Sequence, residues 1–241
     1  VVRTNAPELV LTPTMLGRLG LEVEQGAVIL GADSTGQPIG LRLFRPVPTS
    51  VTFVGGWWAA QVLIFRCMAL GAVVALSAPV PDTWQAPVPT DTGAMATPGR
   101  WMTLDNVAGG TGRRVFLIAA DQPVALPPDP TQPVLRLYDL GPEGPSSLPV
   151  LGAWQMQLTV LTRPTQASAR ALATADLVLA QRLTPADANV VGSVLGLDGE
   201  TMLMLVHMHD DMIAGLGPGA NQPAWLRPTS VERRLFGEPM R

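Results

Sequence analysis

Residues 51–80 read VTFVGGWWAAQVLIFRCMALGAVVALSAPV, and the fold of the chain turns on how this stretch divides. Its only charge is Arg66, and its length exceeds the roughly 20 apolar residues that a membrane-crossing helix needs. Three features oppose a span. Arg66 sits near the middle, where a charge is costly in hydrocarbon. Gly55-Gly56 and Gly71 cut the run into thirds. The outer thirds, VTFV and AVVALSA, are rich in β-branched residues, as buried strands are. The stretch therefore reads as strand, helix and strand, a βαβ unit with the right-handed crossover of parallel strands.

Composition agrees with a packed, turn-rich domain. The chain has 241 residues with 24 Gly and 24 Pro, so turns and irregular connections are frequent. Charged residues make up 15%, and the 47% apolar content suffices for a sizeable core and excludes wholesale disorder. All 16 basic residues are arginine and the net charge is −3, so the basic surface that nucleic-acid binding needs is missing. The lack of lysine, with abundant Ala, Gly, Pro and Arg, suggests a GC-rich bacterial genome. The single cysteine, Cys67, excludes internal disulfides and multi-cysteine zinc sites. The chain opens Val1-Val2-Arg3 without Met or a secretory signal pattern, as expected of a trimmed or excised segment.

Around the unit the pattern alternates strands and helices. Residues 1–50 read as a small β-hairpin module: a strand at Val28–Gly31, a turn at Asp33–Gly36, and alternation from Ile39 to Phe44. Residues 79–99 form a proline-rich connection, and Gly109–Gly112 a turn before a strand at Arg114–Asp121. A Pro/Gly-rich surface stretch from Gln122 to Pro149 is interrupted by a strand at Val134–Tyr138. Further strands are expected at Gln157–Thr162 and Leu177–Leu183. Thr165 caps a helix over Ala167–Ala175. Thr184-Pro185-Ala186-Asp187 opens a helix that Gly196 ends. Thr201–His209 and Met212–Leu216 read as a hairpin around Asp210-Asp211, and Thr229-Ser230-Val231-Glu232 as a capping box. This predicts an α/β fold with a mainly parallel sheet and flanking helices, P-loop/RecA-like or Rossmann-like. Residues 51–241 would form its α/β body, continuous with the N-terminal module.

In such a fold the first strand-to-helix turn is where phosphate meets a helix N-terminus. A phosphate-binding loop needs G-x-x-x-x-G-K-[ST], with the lysine on the phosphates and the hydroxyl on magnesium. Here the turn is Gly55-Gly56-Trp57-Trp58-Ala59-Ala60-Gln61, which lacks both and sets two tryptophans where a triphosphate would lie. Asp121 ends an apolar strand as a magnesium-binding acid would, but has no partner in the pattern and reads as a solvated strand end. His207 and His209 would share one strand face and, with Asp211, offer a metal-site candidate; edge-strand surface histidines are the preferred reading. Cys67, on an apolar helix, reads as buried and inert. No catalytic, cofactor or metal residues are assigned. The helix from Trp57 to Leu70 is apolar on nearly all sides, so it is either wholly internal or covered by a partner. Trp57, Trp58, Gln61 and Arg66 are the candidate partner-interface residues.

Two resemblances bear on function. VILGADSTGQPIGLRLF at 28–44 followed by residues 51–78 resembles the C-terminal cytosolic part of EccE, a core component of actinobacterial type VII (ESX) secretion machines. The shared pattern is a β module of the form V-L-G-x-x-x-x-G-x-P, then a strand, an apolar helix and an ALGA-V strand. LTVLTRP at 158–164 and ADLVLAQRLTPADANVVGSVLG at 175–196 resemble FtsK-type motors, which include the EccC ATPase of the same machines. The chain lacks the Gln of the motors' TQRP sensor, and no catalytic residue of either family maps onto it. The resemblance implies a non-enzymatic scaffold without cofactors, binding protein subunits of a secretion membrane complex. It implies a cytoplasmic domain at the membrane, held there by partners or by an N-terminal anchor preceding this segment. The alternatives are a nucleotide-binding pseudo-ATPase or regulatory NTPase-like domain, and a metal-dependent enzyme using His207, His209 and Asp211.

Overall fold

A computed structural model describes residues 27–78, 114–125, 127–146, 149–217 and 222–241. The proline-rich connection at 79–99 and the Gly109–Gly112 turn lie outside the described residues. Ten described strands form one sheet: β1 (Ala27–Ala32), β2 (Pro38–Arg42), β3 (Thr49–Val54), β4 (Val73–Ser77), β5 (Val115–Leu117), β6 (Val134–Tyr138), β7 (Gln155–Leu161), β8 (Leu177–Gln181), β9 (Met212–Leu216) and β10 (Gln222–Trp225). Their order is β2-β1-β10-β9-β8-β3-β7-β6-β4-β5. The six strands from β8 to β5 run parallel, and the pairings from β8 through β9, β10 and β1 to β2 are antiparallel. The expected α/β fold with a mostly parallel sheet and flanking helices is therefore present.

The 51–80 stretch divides as its glycines dictate. It forms β3, helix α1 (Trp57–Ala69) and β4, and no described helix is long and apolar enough to cross a membrane. Although β3 and β4 are parallel members of one sheet, β7 and β6 lie between them. Gly71 turns the chain at a φ of 95°, and a Cβ there would stand 2.5 Å from the Thr131 carbonyl oxygen, so glycine is required.

Alternation along the strands sorts side chains onto two faces. Val51 and Phe53 of β3, Met156, Leu158 and Val160 of β7, and Leu135 and Leu137 of β6 pack with α1. Val54, Leu161 and Ala180 instead join helices α2 (Ala169–Ala173), α3 (Pro185–Leu195) and α4 (Gly199–His207) on the second face. That face turns polar along its middle: Arg136 and Tyr138 of β6, Gln157 and Thr159 of β7, Thr52 of β3 and Ser77 of β4 are all buried. Buried polar atoms need partners. Thr52 donates to the Ala171 carbonyl at 2.8 Å, and Arg136 donates to the Tyr138 hydroxyl at 3.1 Å.

The capping signals act as expected. Thr165 caps a 3-10 turn at Gln166–Ser168 that leads into α2. The Thr184 hydroxyl accepts the Asp187 N–H at 3.1 Å, and Gly196 ends α3 with a φ of 67°. Thr229 and Glu232 complete a reciprocal capping box at the start of α5 (Ser230–Phe236).

Three expectations need correction. Residues 201–207 are helical, not a strand, because the Asp198 carboxylate accepts the Thr201 N–H at 2.7 Å and starts α4. Thr201 and Leu205, four apart, then form its buried side. The strand expected over Arg114–Asp121 stops at Leu117, paired only with β4 at the end of the described sheet. The helix begun at Thr165 is two short pieces ending at Ala173. The β1–β2 hairpin extends the common sheet, with β1 paired to β10.

Candidate functional site

The turn from β3 into α1 lies at the C-terminal ends of the central parallel strands, where ligands of open α/β sheets bind. Gly55 and Gly56 are required by close approach. A Cβ on Gly55 would stand 2.7 Å from both the Gln181 Cβ and the Phe53 ring, and one on Gly56 would stand 2.7 Å from the Arg241 Cα. Neither glycine has a positive φ, so space, not backbone conformation, selects them.

The groups at this turn are committed to one another. The Gly55 N–H donates to the Leu161 carbonyl at 3.1 Å, tying the turn to the end of β7. The Gly56 N–H, which would face a phosphate in a nucleotide-binding loop, donates to Gln181 Oε1 at 2.8 Å. Gln181 is fully buried at the end of β8, and its Nε2 donates to the Asp210 carbonyl and, at 3.3 Å, to that of Met240. Trp58 is 3% exposed, and its indole N–H donates to the Gly237 carbonyl at 3.1 Å. The Arg241 guanidinium donates to Asp187 in the first turn of α3 at 2.6 Å. Chain segment 237–241 thus lies across the turn, held by side chains of α1, β8 and α3.

Of the four candidate interface residues, the structure brings Trp58 to this turn and sends Arg66 elsewhere. Arg66 pairs with Glu232 of α5 at 2.7 Å and donates to the Ile29, Leu30 and Leu226 carbonyls. Burial pushes the Glu232 carboxyl up, but the bonds from Arg66 and the Thr229 N–H outweigh it and hold the group below the usual carboxylate range. Phe65 meets Phe236 edge-on with ring centroids 5.7 Å apart. The outer side of α1 is therefore covered by β1 and α5 of the same chain. Trp57 and Gln61 are partly exposed and engaged in contacts of their own.

The other sequence candidates do not converge. His207 ends α4, His209 follows it, and both are exposed. Among the described residues no three His, Cys, Asp or Glu side chains gather as a metal site would require. Asp121 is exposed, whereas Asp139, at the end of β6, is 6% exposed and engaged. The run Val134-Leu135-Arg136-Leu137-Tyr138-Asp139 carried the same apolar-strand-then-acid signal as the run ending at Asp121. Cys67 is fully buried in α1, where burial pushes its thiol up to about 12, as expected of an inert cysteine. The role of residues 237–241 has no local sequence signal, because nothing in Gly-Glu-Pro-Met-Arg names its distant partners.

No protein-family model and no curated protein matches the chain. Among solved structures it is similar to the cytoplasmic domain of the type VII secretion ATPase EccC from Thermomonospora curvata, with a TM-score of 0.45 and 12% sequence identity. That similarity extends over 90% of this chain and 32% of the other, so the chain spans about a third of that structure's length.

Proposed function

We propose that this chain is a non-catalytic docking domain of a type VII secretion membrane complex, derived from a nucleotide-binding fold whose phosphate site is closed. The observation that carries the non-catalytic half is the β3–α1 turn: Gln181 takes the Gly56 N–H, and residues 240–241 press against the same glycine. A phosphate there would have to displace protein, and with no lysine in the chain it would meet no lysine ammonium. The secretion half is supported by the sequence patterns at 28–44, 51–78, 158–164 and 175–196. The domain would bind other protein subunits of the complex and sit on the cytoplasmic side of the membrane, held through them or through a preceding anchor.

Affinity purification of the full-length protein from its native membrane tests the docking role. Recovery of other secretion subunits is the expected result, and recovery without any of them would sink the proposal. Calorimetric titration with ATP and magnesium tests the closed site separately. No heat of binding is expected; micromolar affinity would favour the pseudo-ATPase reading.

A further inference from the structure

Residues 237–241 are held in the manner of a bound peptide. Two side-chain N–H groups, from Trp58 and Gln181, read the main-chain carbonyls of Gly237 and Met240. One carboxylate, Asp187, reads an arginine at a site where both partners are about 15% exposed. Gly56 gives the main chain room to approach the turn. The receiving side chains have anchors besides the segment: Gln181 is pinned by Gly56 and Asp210, and Trp58 packs in the core on α1. The segment itself adds no residue to either hydrophobic cluster. Met240 is 61% exposed, and Gly237 and Glu238 are exposed as well. Gly237, with a φ of 77°, turns the chain out of α5.

We propose that the cleft between the β3–α1 turn, the end of β8 and the start of α3 is a docking site for an extended, arginine-bearing segment of a partner protein, kept closed here by the chain's own residues 237–241. The cis segment acts as a competitor. A tether of a few residues gives it an effective concentration of about millimolar, so a partner gains access only when it binds more tightly or when the segment is drawn away. Main-chain recognition sets the extended conformation, and Asp187 sets the requirement for arginine. The assignment stands apart from the secretion reading, since it needs only the contacts at this cleft.

The test uses the full chain and an amidated, fluorescein-labelled peptide with the sequence of residues 236–241. Anisotropy should show the peptide binding the R241A chain about tenfold or more tightly than the wild-type chain, because the substitution removes the cis segment's ion pair. The D187A/R241A chain should lose that gain, as should a peptide with alanine at its arginine. Equal binding to wild-type and R241A chains would overturn the proposal. So would an R241A chain without a cooperative melt, which would make the segment part of the fold. A concentration-dependent dimer of R241A in sedimentation would assign the site to a second copy and overturn the partner assignment.

Discussion

The Arg66 guanidinium grips the Glu232 carboxylate with two bonds, Nε to Oε1 at 2.7 Å and Nη2 to Oε2 at 3.0 Å. It also donates to the Leu30 carbonyl at 2.7 Å and the Leu226 carbonyl at 2.9 Å. One side chain of α1 thereby joins β1, the segment after β10 and α5. The lone charge in the apolar 51–80 stretch is an internal clasp.

Breaking this clasp on one side should be costly, because it strands the other charge in a desolvated site. Glu232→Ala should destabilise the fold by about 3–5 kcal/mol, and an Arg66→Met, Glu232→Leu pair by clearly less. Urea unfolding of the two variants checks the difference; equal losses would contradict it.

The same pair sets a pH dependence. Glu232 has a folded pKa below its unfolded value near 4.5, so its stabilisation is complete above that value. It is lost as pH falls through the lower, folded pKa. Acidification from pH 6 to about 3 should therefore cost the wild type more stability than Glu232→Gln. Midpoints of thermal melts across that range measure the gap, which should close as the pH falls.

Gly56→Ala isolates the close approach of residues 240–241, since Gly56 has ordinary extended torsions (φ −78°, ψ 163°) that alanine adopts freely. The added Cβ would meet the Arg241 Cα at 2.7 Å and should either push the segment out or cost about 1–3 kcal/mol in overpacking. Faster amide hydrogen exchange over residues 237–241 distinguishes expulsion from strain.

Tyr138→Phe tests the polar face of the sheet. The Tyr138 hydroxyl accepts from Arg136 Nε at 3.1 Å and donates to the Ala120 carbonyl at 3.2 Å. Without it, Arg136, which is 2% exposed, loses an acceptor, at an expected cost of about 1–3 kcal/mol in denaturant unfolding.

Cys67 should resist thiol reagents in the native protein at pH 8, because burial both raises its pKa to about 12 and blocks access. Labelling should become fast only after unfolding, as followed by intact mass.

Local chemistry is legible wherever one residue decides a local event. Thr184 with Pro185, Thr229 with Glu232, and Gly196 each mark a helix end through bonds spanning a few residues, and each appears where the sequence places it. The 201–207 error has the opposite origin. MLMLV is apolar at every position, so periodicity cannot separate a strand from a helix, and the deciding signal is the Asp198 cap three residues before the expected start of the strand. At the candidate site, the lack of a phosphate-binding lysine was readable from composition, but the occupant of the vacated turn was not.

The sequence alone determined the division of residues 51–80 into strand, helix and strand, because turn glycines and strand propensity act within a few residues. It also determined the absence of a lysine-based phosphate loop, because a missing residue type is missing everywhere. Only the tertiary structure decided that β7 and β6 separate β3 from β4, that α5 and β1 cover α1, and that Arg241 lies against Gly56. Those outcomes depend on pairing and burial between segments far apart in the chain, such as Gly56 and Arg241, where many partners satisfy the local pattern equally. Packing of the whole chain selects among them.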